Sequence, residues 1–301
     1  MKKSNLSSHI AMPLSDKIVQ FINTVLLMIL LLIFVYPLIY VFTSSISANA
    51  YNISGLRLIP EKISWEGYKA VLQFKRIWSG YRNSIVYMLL GTTLNVFMSV
   101  CAAYPLSNRK LYGHGVILGV MMFTMYFGGG MIPSYLLVRN LGMIDTIWAM
   151  IIPGAMSVYN TLVMRTYFIN QIPNELQEAA EIDGCSQLRY LISILLPLSM
   201  PILAVVGMFY AVGHWNAYFN ALMYMRTPDK YPLQLVIREI LIVNRTSEIL
   251  NFDPEDLLIL EQRANLMKYS LIVISSLPML CLYPFIQKHF VSGIMLGAVK
   301  G

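Results

Sequence analysis

The feature that most constrains this chain is a series of apolar runs long enough to cross a lipid bilayer. Val25 to Phe42 is almost unbroken by polar residues and carries Pro37 inside it. A hydrocarbon core about 30 Å thick takes ~20 apolar residues of helix. Similar runs place spans at about 19–43, 84–106, 116–138, 146–167, 198–225 and 269–285. With 57% hydrophobic and only 12% charged residues over 301 positions, the chain lacks the polar surface that a soluble protein of this size needs. The triplet Ala48-Asn49-Ala50 looks like a signal-peptidase site, but the apolar core before it is too long and the site too far from Met1. A retained first span is expected. Six spans put both termini on one side.

One stretch breaks the apolar pattern. Residues 171–197 hold Glu175, Glu178, Glu181 and Asp183 within nine positions. A charge at the bilayer centre costs roughly 2.5–3.5 kcal/mol, so four would cost about 10 or more. This segment therefore lies outside the membrane, although the chain on both sides is within it. Pro173 suits a first helical turn, where its missing N–H is not needed. The acids that follow sit near the positive end of the helix dipole. Leu176, Ala179 and Ala180 are expected to share a face flat enough for close approach by another protein. Gly184 offers a helix stop, and Leu188, Leu191, Ile192 and Leu195 form a second amphipathic run. Pro197 and Pro201 mark the return to the bilayer.

The other loops differ in length. Residues 45–82 interleave Trp65, Tyr68, Leu72 and Trp78 with Lys69, Lys75 and Arg76, as in a helix lying at the membrane interface. Arg139 to Asp145 is a tight turn. Arg226 to Lys268 is polar and holds seven acids; within it Pro232 to Val243 reads as a short helix on the surface or against a partner. The sequon Asn244-Arg245-Thr246 reads as chance. Gly128-Gly129-Gly130 with Pro133, and Pro153 with Gly154, interrupt the third and fourth spans. Such breaks need protein or water to satisfy the freed backbone groups. Nine Lys/Arg fall on the proposed inner side and thirteen on the outer, mostly in the long loops, so charge bias does not orient the chain.

Several chemistries are excluded. Cys101, Cys185 and Cys281 are far apart, with no CxxC and no Cys/His zinc spacing. There is no HExxH, no GxSxG and no P-loop, so any ATP is handled by a partner. A net charge of +7 without a basic cluster gives no nucleic-acid signature. A membrane-embedded enzyme or sensor would need paired carboxylates, a His cluster or a nucleophile within the spans, and none is seen.

Glu178, Ala179, Ala180, Gly184, Ile194, Leu196 and Pro197 match all seven fixed positions of a signature of the form EAA, three residues, G, nine residues, I, one residue, LP. This resembles the EAA motif of the membrane subunits of ABC importers. The runs at 127–168, 212–222 and 231–241, and the tail ending Gly-Ala-Val-Lys-Gly, are similar to carbohydrate-importer permeases of the MalG type, in particular their LplC-like branch. The resemblance implies an all-α polytopic membrane protein of the type I ABC importer (MetI-like) fold, one permease domain over 1–301 with six transmembrane helices. It implies a coupling loop in which Glu178, Ala179, Ala180, Asp183 and Gly184 meet a separate ATPase. It also implies a second permease subunit, an ATPase dimer that holds ATP and magnesium, and an extracellular sugar-binding lipoprotein that delivers an oligosaccharide. No cofactor is expected on this chain. The implied setting is a bacterial plasma membrane, Gram-positive, with cytoplasmic termini. Cys185 stands where the family usually has a smaller residue. A permease for another cargo, peptide or amino acid, shares the same loop.

Polar groups within the fifth span are the second candidate site. His214, Trp215, Asn216 and Tyr218 stand where a lone span would avoid them. His214, Tyr218 and Leu222 are four apart and are expected to form a stripe. It either lines the sugar path, with aromatic rings against sugar faces and amides against hydroxyls, or bonds to the partner permease. Arg165, before the coupling loop, either anchors to phosphate headgroups or braces the coupling helix.

Overall fold

The computed structural model of the protein describes residues 13–47, 59, 62–247, 267–282 and 284. Among them the chain is helical, with an isolated antiparallel bridge at Ser47–Ile63 and no strand. The chain divides into two compact units, residues 1–69 with 254–273, and residues 70–253 with 274–301.

The first unit is built on α1 (Leu14–Ser45), whose side chains are exposed almost all round. A helix apolar on every face has no stripe to bury against a core and suits a lipid environment. Its C-terminal end is tied down by polar bonds. The Ser45 hydroxyl meets Tyr68 Oη at 2.7 Å, and Ser64 donates its N–H to the Ile46 carbonyl at 2.8 Å. The Tyr40 and Tyr269 rings meet edge to face at 5.9 Å.

A short helix, α2 (Glu66–Gln73), precedes α3 (Lys75–Ser107), the axis of the second unit. At 1.5 Å per residue, α3 is about 50 Å long, so the helix begins well before the expected span at 84. Asn83, Tyr87, Gly91, Asn95, Ser99 and Ala103, four apart, are all buried along one face. Small and polar residues in such a row let neighbouring helices approach closely and bond across.

The expected third span is not one straight helix. It divides into α4 (His114–Tyr126) and α5 (Met131–Asn140), bent by 109°. The glycine run at the break has no side chains to pack, and Gly130 takes φ +86°, a conformation open to glycine. The fourth span divides likewise, into α6 (Ile147–Ile151) and α7 (Val158–Gln171), across Pro153 and Gly154. The loop helix α8 (Asn174–Ile182) follows, then α9 (Gln187–Leu198), which contains a π turn at Leu191–Leu195. An 82° bend leads into α10 (Met200–Trp215). Pro197 and Pro201 supply no N–H to the preceding turn, which accounts for both the widened turn and the elbow. The short α11 (Tyr218–Tyr224) comes next, then α12 (Leu233–Ser247) and α13 (Met267–Leu282). Among the described residues α1 and α3 are each long and apolar enough to cross a bilayer, and counting each bent pair as one span gives up to four.

The stretch read as a surface or partner-bound helix, α12, packs instead on α3. Leu233, Val236 and Ile240 are buried, and Leu233 donates its N–H to the Ser84 hydroxyl at 2.8 Å. A β-carbon on Gly80 would stand 3.1 Å from the Leu233 Cα, a tight contact that the glycine avoids.

Candidate functional site

The coupling segment is a helix–turn–helix whose turn is fully bonded. Cys185 donates its N–H to the Ala180 carbonyl at 2.8 Å, and Gly184 donates to Glu181 at 3.1 Å. These are the two bonds of a Schellman stop, with the left-handed residue Gly184 at φ +71°. Cys185 packs on the same apolar cluster as Ala180, which is the hydrophobic contact that accompanies this motif. The cysteine thus fits as a small apolar side chain. Ser186 then caps α9 by accepting the Arg189 N–H at 3.4 Å.

The two alanines of the motif face different ways. Ala179 is exposed, whereas Ala180 is buried in a cluster with Ala103 of α3, Phe168 of α7, Tyr190 and Leu195 of α9, and Val206 of α10. The shared flat face expected from the sequence is therefore divided. One alanine is left to the outside, and the other lets α8 sit close against helices that lead into the membrane. Glu175, Glu178 and Asp183 are exposed, and Ile182 and Leu188 stand out at 86% and 67% exposure. Acids beside bare apolar side chains form a patch fit for a protein surface.

Glu181, in contrast, is engaged. Its Oε1 accepts from Gln177 Nε2 at 3.0 Å and from Gln187 Nε2 at 3.1 Å, and Tyr104 of α3 donates to Gln187. This bracing of α8, α9 and α3 was not legible in the sequence, because Gln177 and Gln187 belong to no motif. A cleft of about 630 Å³ lies between the Gln177–Glu178–Glu181 face of α8 and the Ser107–Lys110 turn.

Arg165 braces the end of α3 and not the helix of the loop. Its Nε donates to the Leu106 carbonyl at 2.7 Å and its Nη2 lies 3.2 Å from His114 Nε2. It satisfies the end of α3 and joins it to the start of α4.

The polar residues of the fifth span do not form a single stripe. Asn216 ends α10, its N–H bonding back to Val212 and His214, so Tyr218 starts a separate helix. Trp215 is buried at 2% exposure and donates to the Ser275 carbonyl at 3.2 Å, with its ring 6.0 Å from Tyr81. That is a packing role. Asn216 and Tyr218 are exposed. His214 is half-buried, its Nε2 2.6 Å from Asn95 Oδ1, and Asn95 Nδ2 donates to the Gly154 carbonyl. A β-carbon at Gly91 would overlap the His214 ring. Four residues along α3, Tyr210 Oη meets Ser99 Oγ at 2.7 Å and accepts the Ser157 N–H at 3.0 Å. Asn95 and Gly91 were missed in the sequence, where only their four-residue spacing could have marked them.

A third polar cluster centres on Asp145, which holds φ +59°. It accepts the N–H groups of Arg226 and Thr227, each at 3.0 Å, the Thr227 hydroxyl at 2.6 Å and Lys230 Nζ at 2.9 Å. Partial desolvation raises the pKa of the carboxyl, but the Thr227 and Lys230 side chains and the two backbone donors outweigh it and hold it well below the usual carboxylate range. Among the described residues no group of three His, Cys, Asp or Glu is placed to hold a metal.

Known proteins resemble this chain over nearly its whole length. The family model of the binding-protein-dependent transport system inner membrane component matches residues 10–296. Protein LplC of Bacillus subtilis is 37% identical over 89% of this chain and 90% of its own length. The polygalacturonan/rhamnogalacturonan transport system permease protein YtcP of Bacillus subtilis is 38% identical over 91% of this chain and 96% of its own. A crystal structure of a bacterial ABC transporter involved in the import of the acidic polysaccharide alginate contains a chain that superimposes with a TM-score of 0.81. That chain is 34% identical, and the match covers 93% of this chain and 99% of that one. Matched over nearly its whole length, the chain belongs to the inner membrane component family of binding-protein-dependent ABC transport systems, as a multi-pass permease subunit of the plasma membrane.

Proposed function

We propose that this chain forms half of the translocation path for a sugar or oligosaccharide in an ABC importer. A second, similar permease completes the path. An ATPase dimer, which holds the ATP and magnesium, binds the coupling loop, and an extracellular sugar-binding lipoprotein docks on the opposite face. Six spans and cytoplasmic termini put the coupling loop on the ATPase side, in the plasma membrane of a Gram-positive cell. The cargoes named for YtcP and for the alginate importer favour a saccharide over a peptide or amino acid.

The observation that carries this reading is the construction of α8. Its outer side offers Glu178, Ala179 and Asp183, with Ile182 beside them, to a partner, while Ala180 is packed among α3, α7, α9 and α10. A displacement of α8 by a closing ATPase is thereby passed directly to the helices around the path. ATP favours the closed ATPases, and the loaded binding protein favours the outward-open path. Each shifts the same equilibrium by its differential contact with the two states. Asn216 and Tyr218, with the open edge of His214, are proposed to face the cargo, while Trp215 holds the helix in place.

The test is capture and uptake. A photo-crosslinker at Ala179, the exposed alanine, is expected to trap the ATPase encoded with this chain, and Glu178→Lys is expected to abolish ATP-driven oligosaccharide uptake while the subunit remains in the membrane. Normal uptake by Glu178→Lys, or no ATPase trapped from Ala179, overturns the proposal.

A further inference from the structure

The break in the fourth span leaves main-chain carbonyls without a hydrogen-bond partner among the described residues. The segment 152–157 joins α6 to α7 without helical pairing, and Ile152, Pro153, Gly154 and Met156 are exposed. Ala155 donates to the Ile152 carbonyl at 3.0 Å. Among the described residues the carbonyls of Pro153, Ala155 and Met156 accept no hydrogen bond. Irregular backbone at membrane depth is tolerated only where protein covers it or water reaches it, since each unpaired group costs several kcal/mol in hydrocarbon.

The break is held from its inner side. Asn95, fully buried, donates to the Gly154 carbonyl, and Tyr210 accepts the Ser157 N–H. Both holders are themselves fixed, Asn95 by His214 and Tyr210 by Ser99. A buried amide engaged at both ends adopts a single orientation, and the half-buried His214 belongs to the same assembly. The two bonds hold the segment at Gly154 and Ser157, and they leave the carbonyls of Pro153, Ala155 and Met156 without a partner among the described residues.

We propose that the 152–157 break is a water-facing wall of the translocation path, with Asn95 and Tyr210 as positioning residues that hold its bare carbonyls toward the hydroxyls of a passing saccharide. The wall reads no particular sugar, because main-chain carbonyls accept from any hydroxyl. Asn95 does not touch the cargo; it acts through Gly154 and His214. The water-facing wall rests on the permease reading of the chain, and the contacts to hydroxyls rest on the saccharide cargo proposed above.

The experiment uses the assembled complex in membrane vesicles, with Cys101, Cys185 and Cys281 replaced by serine and Met156→Cys as the reporter. A charged, membrane-impermeant maleimide is the probe. Labelling is expected in the intact complex, and it should slow or quicken several-fold between the nucleotide-free and ATP-trapped states. Asn95→Leu is expected to change the labelling rate at least threefold with the same amount of co-purified ATPase, and Gly91→Ala, which displaces the His214 ring, should do the same. Tyr210→Phe, which loses the Ser157 bond, should act in the same direction. Labelling of the isolated subunit but not of the complex would show that the partner permease covers the break and would overturn the inference. So would absence of labelling in both, or a rate indifferent to Asn95→Leu and Tyr210→Phe. A complex that labels as expected but imports no saccharide removes the cargo assignment and the contacts to hydroxyls with it, and leaves the water-facing wall.

Discussion

Glu181 and Gln187 are joined by a 3.1 Å hydrogen bond across the coupling turn, and they bind the two short helices to each other as the Schellman bonds bind the backbone. Glu181 is exposed, so the link is modest, about 0.5–1 kcal/mol. Glu181→Ala is expected to leave the subunit folded and inserted but to loosen α8 against α9. The measurement is hydrogen exchange over residues 174–190 in the purified complex, which should quicken there and not in α3. A uniform rise across the chain, or none, would contradict it.

Gly184 holds φ +71°, yet a β-carbon there would meet nothing within 4 Å. The cost of substitution is therefore conformational and not steric. Gly184→Val is expected to cost about 1–2 kcal/mol and Gly184→Asn markedly less, since asparagine visits the left-handed region. Thermal melts of the detergent-solubilised complex should rank the variants in that order. Equal losses would point to a packing role that the open space does not support.

Ala179 and Ala180 should part company under the same substitution. Ala180→Leu inserts methylenes into a filled cluster and is expected to destabilise the subunit by about 1–3 kcal/mol. Ala179→Leu alters an exposed position, so the subunit should stay stable and lose co-purified ATPase. Yield of folded monomer and ATPase retention, measured together, separate the two effects. If both variants fail in the same way, the division of roles seen here is wrong.

Asp145 makes the loop at 226–230 acid-sensitive. Its folded pKa lies below the unfolded value of about 3.9. The stabilisation is therefore fully present above pH ~4 and is lost as pH falls through the lower, folded value. Proteolysis between Arg226 and Lys230 is expected to be insensitive to pH from neutral down to about 5, and Asp145→Asn should raise it across that whole range. An Asp145→Asn variant cleaved no faster than the parent would remove Asp145 as the anchor.

Ser199, at the elbow between α9 and α10, is fully buried, and its hydroxyl has no partner among the described residues. Ser199→Ala is expected to be neutral or to stabilise by up to about 1 kcal/mol, because a desolvated donor is removed and nothing is left unpaired. A clear loss of stability on melting would mean that the hydroxyl is bonded in the assembled complex.

Much of this architecture was legible in the residue order, because hydrophobic length and charge exclusion act locally. The long apolar helix α1 and the helix–turn–helix after Pro173 could be read from Val25–Phe42 and from the EAA–Gly184–Ile194–Leu196–Pro197 spacing. The size of the bends was not legible. Gly128–Gly130 and Pro153–Gly154 were seen as weak points, but composition carries no angle, and the 109° bend depends on what the two arms pack against. The His214–Tyr218 stripe failed because periodicity assumes an unbroken helix, whereas Asn216 ends one. Asn95, Leu106 and Gln187, which bond to His214, Arg165 and Glu181, lie 119, 59 and 6 residues from them, on helices whose facing sides no local pattern announces.

The elbow at Ser199 sets the direction in which force can travel. Two rigid arms that meet at 82° cannot relay a push along both axes at once. Thrust along the first arm arrives at the foot of the second as a sidestep. A displacement of α9 along its own axis would therefore shift the foot of α10 sideways and not lift it.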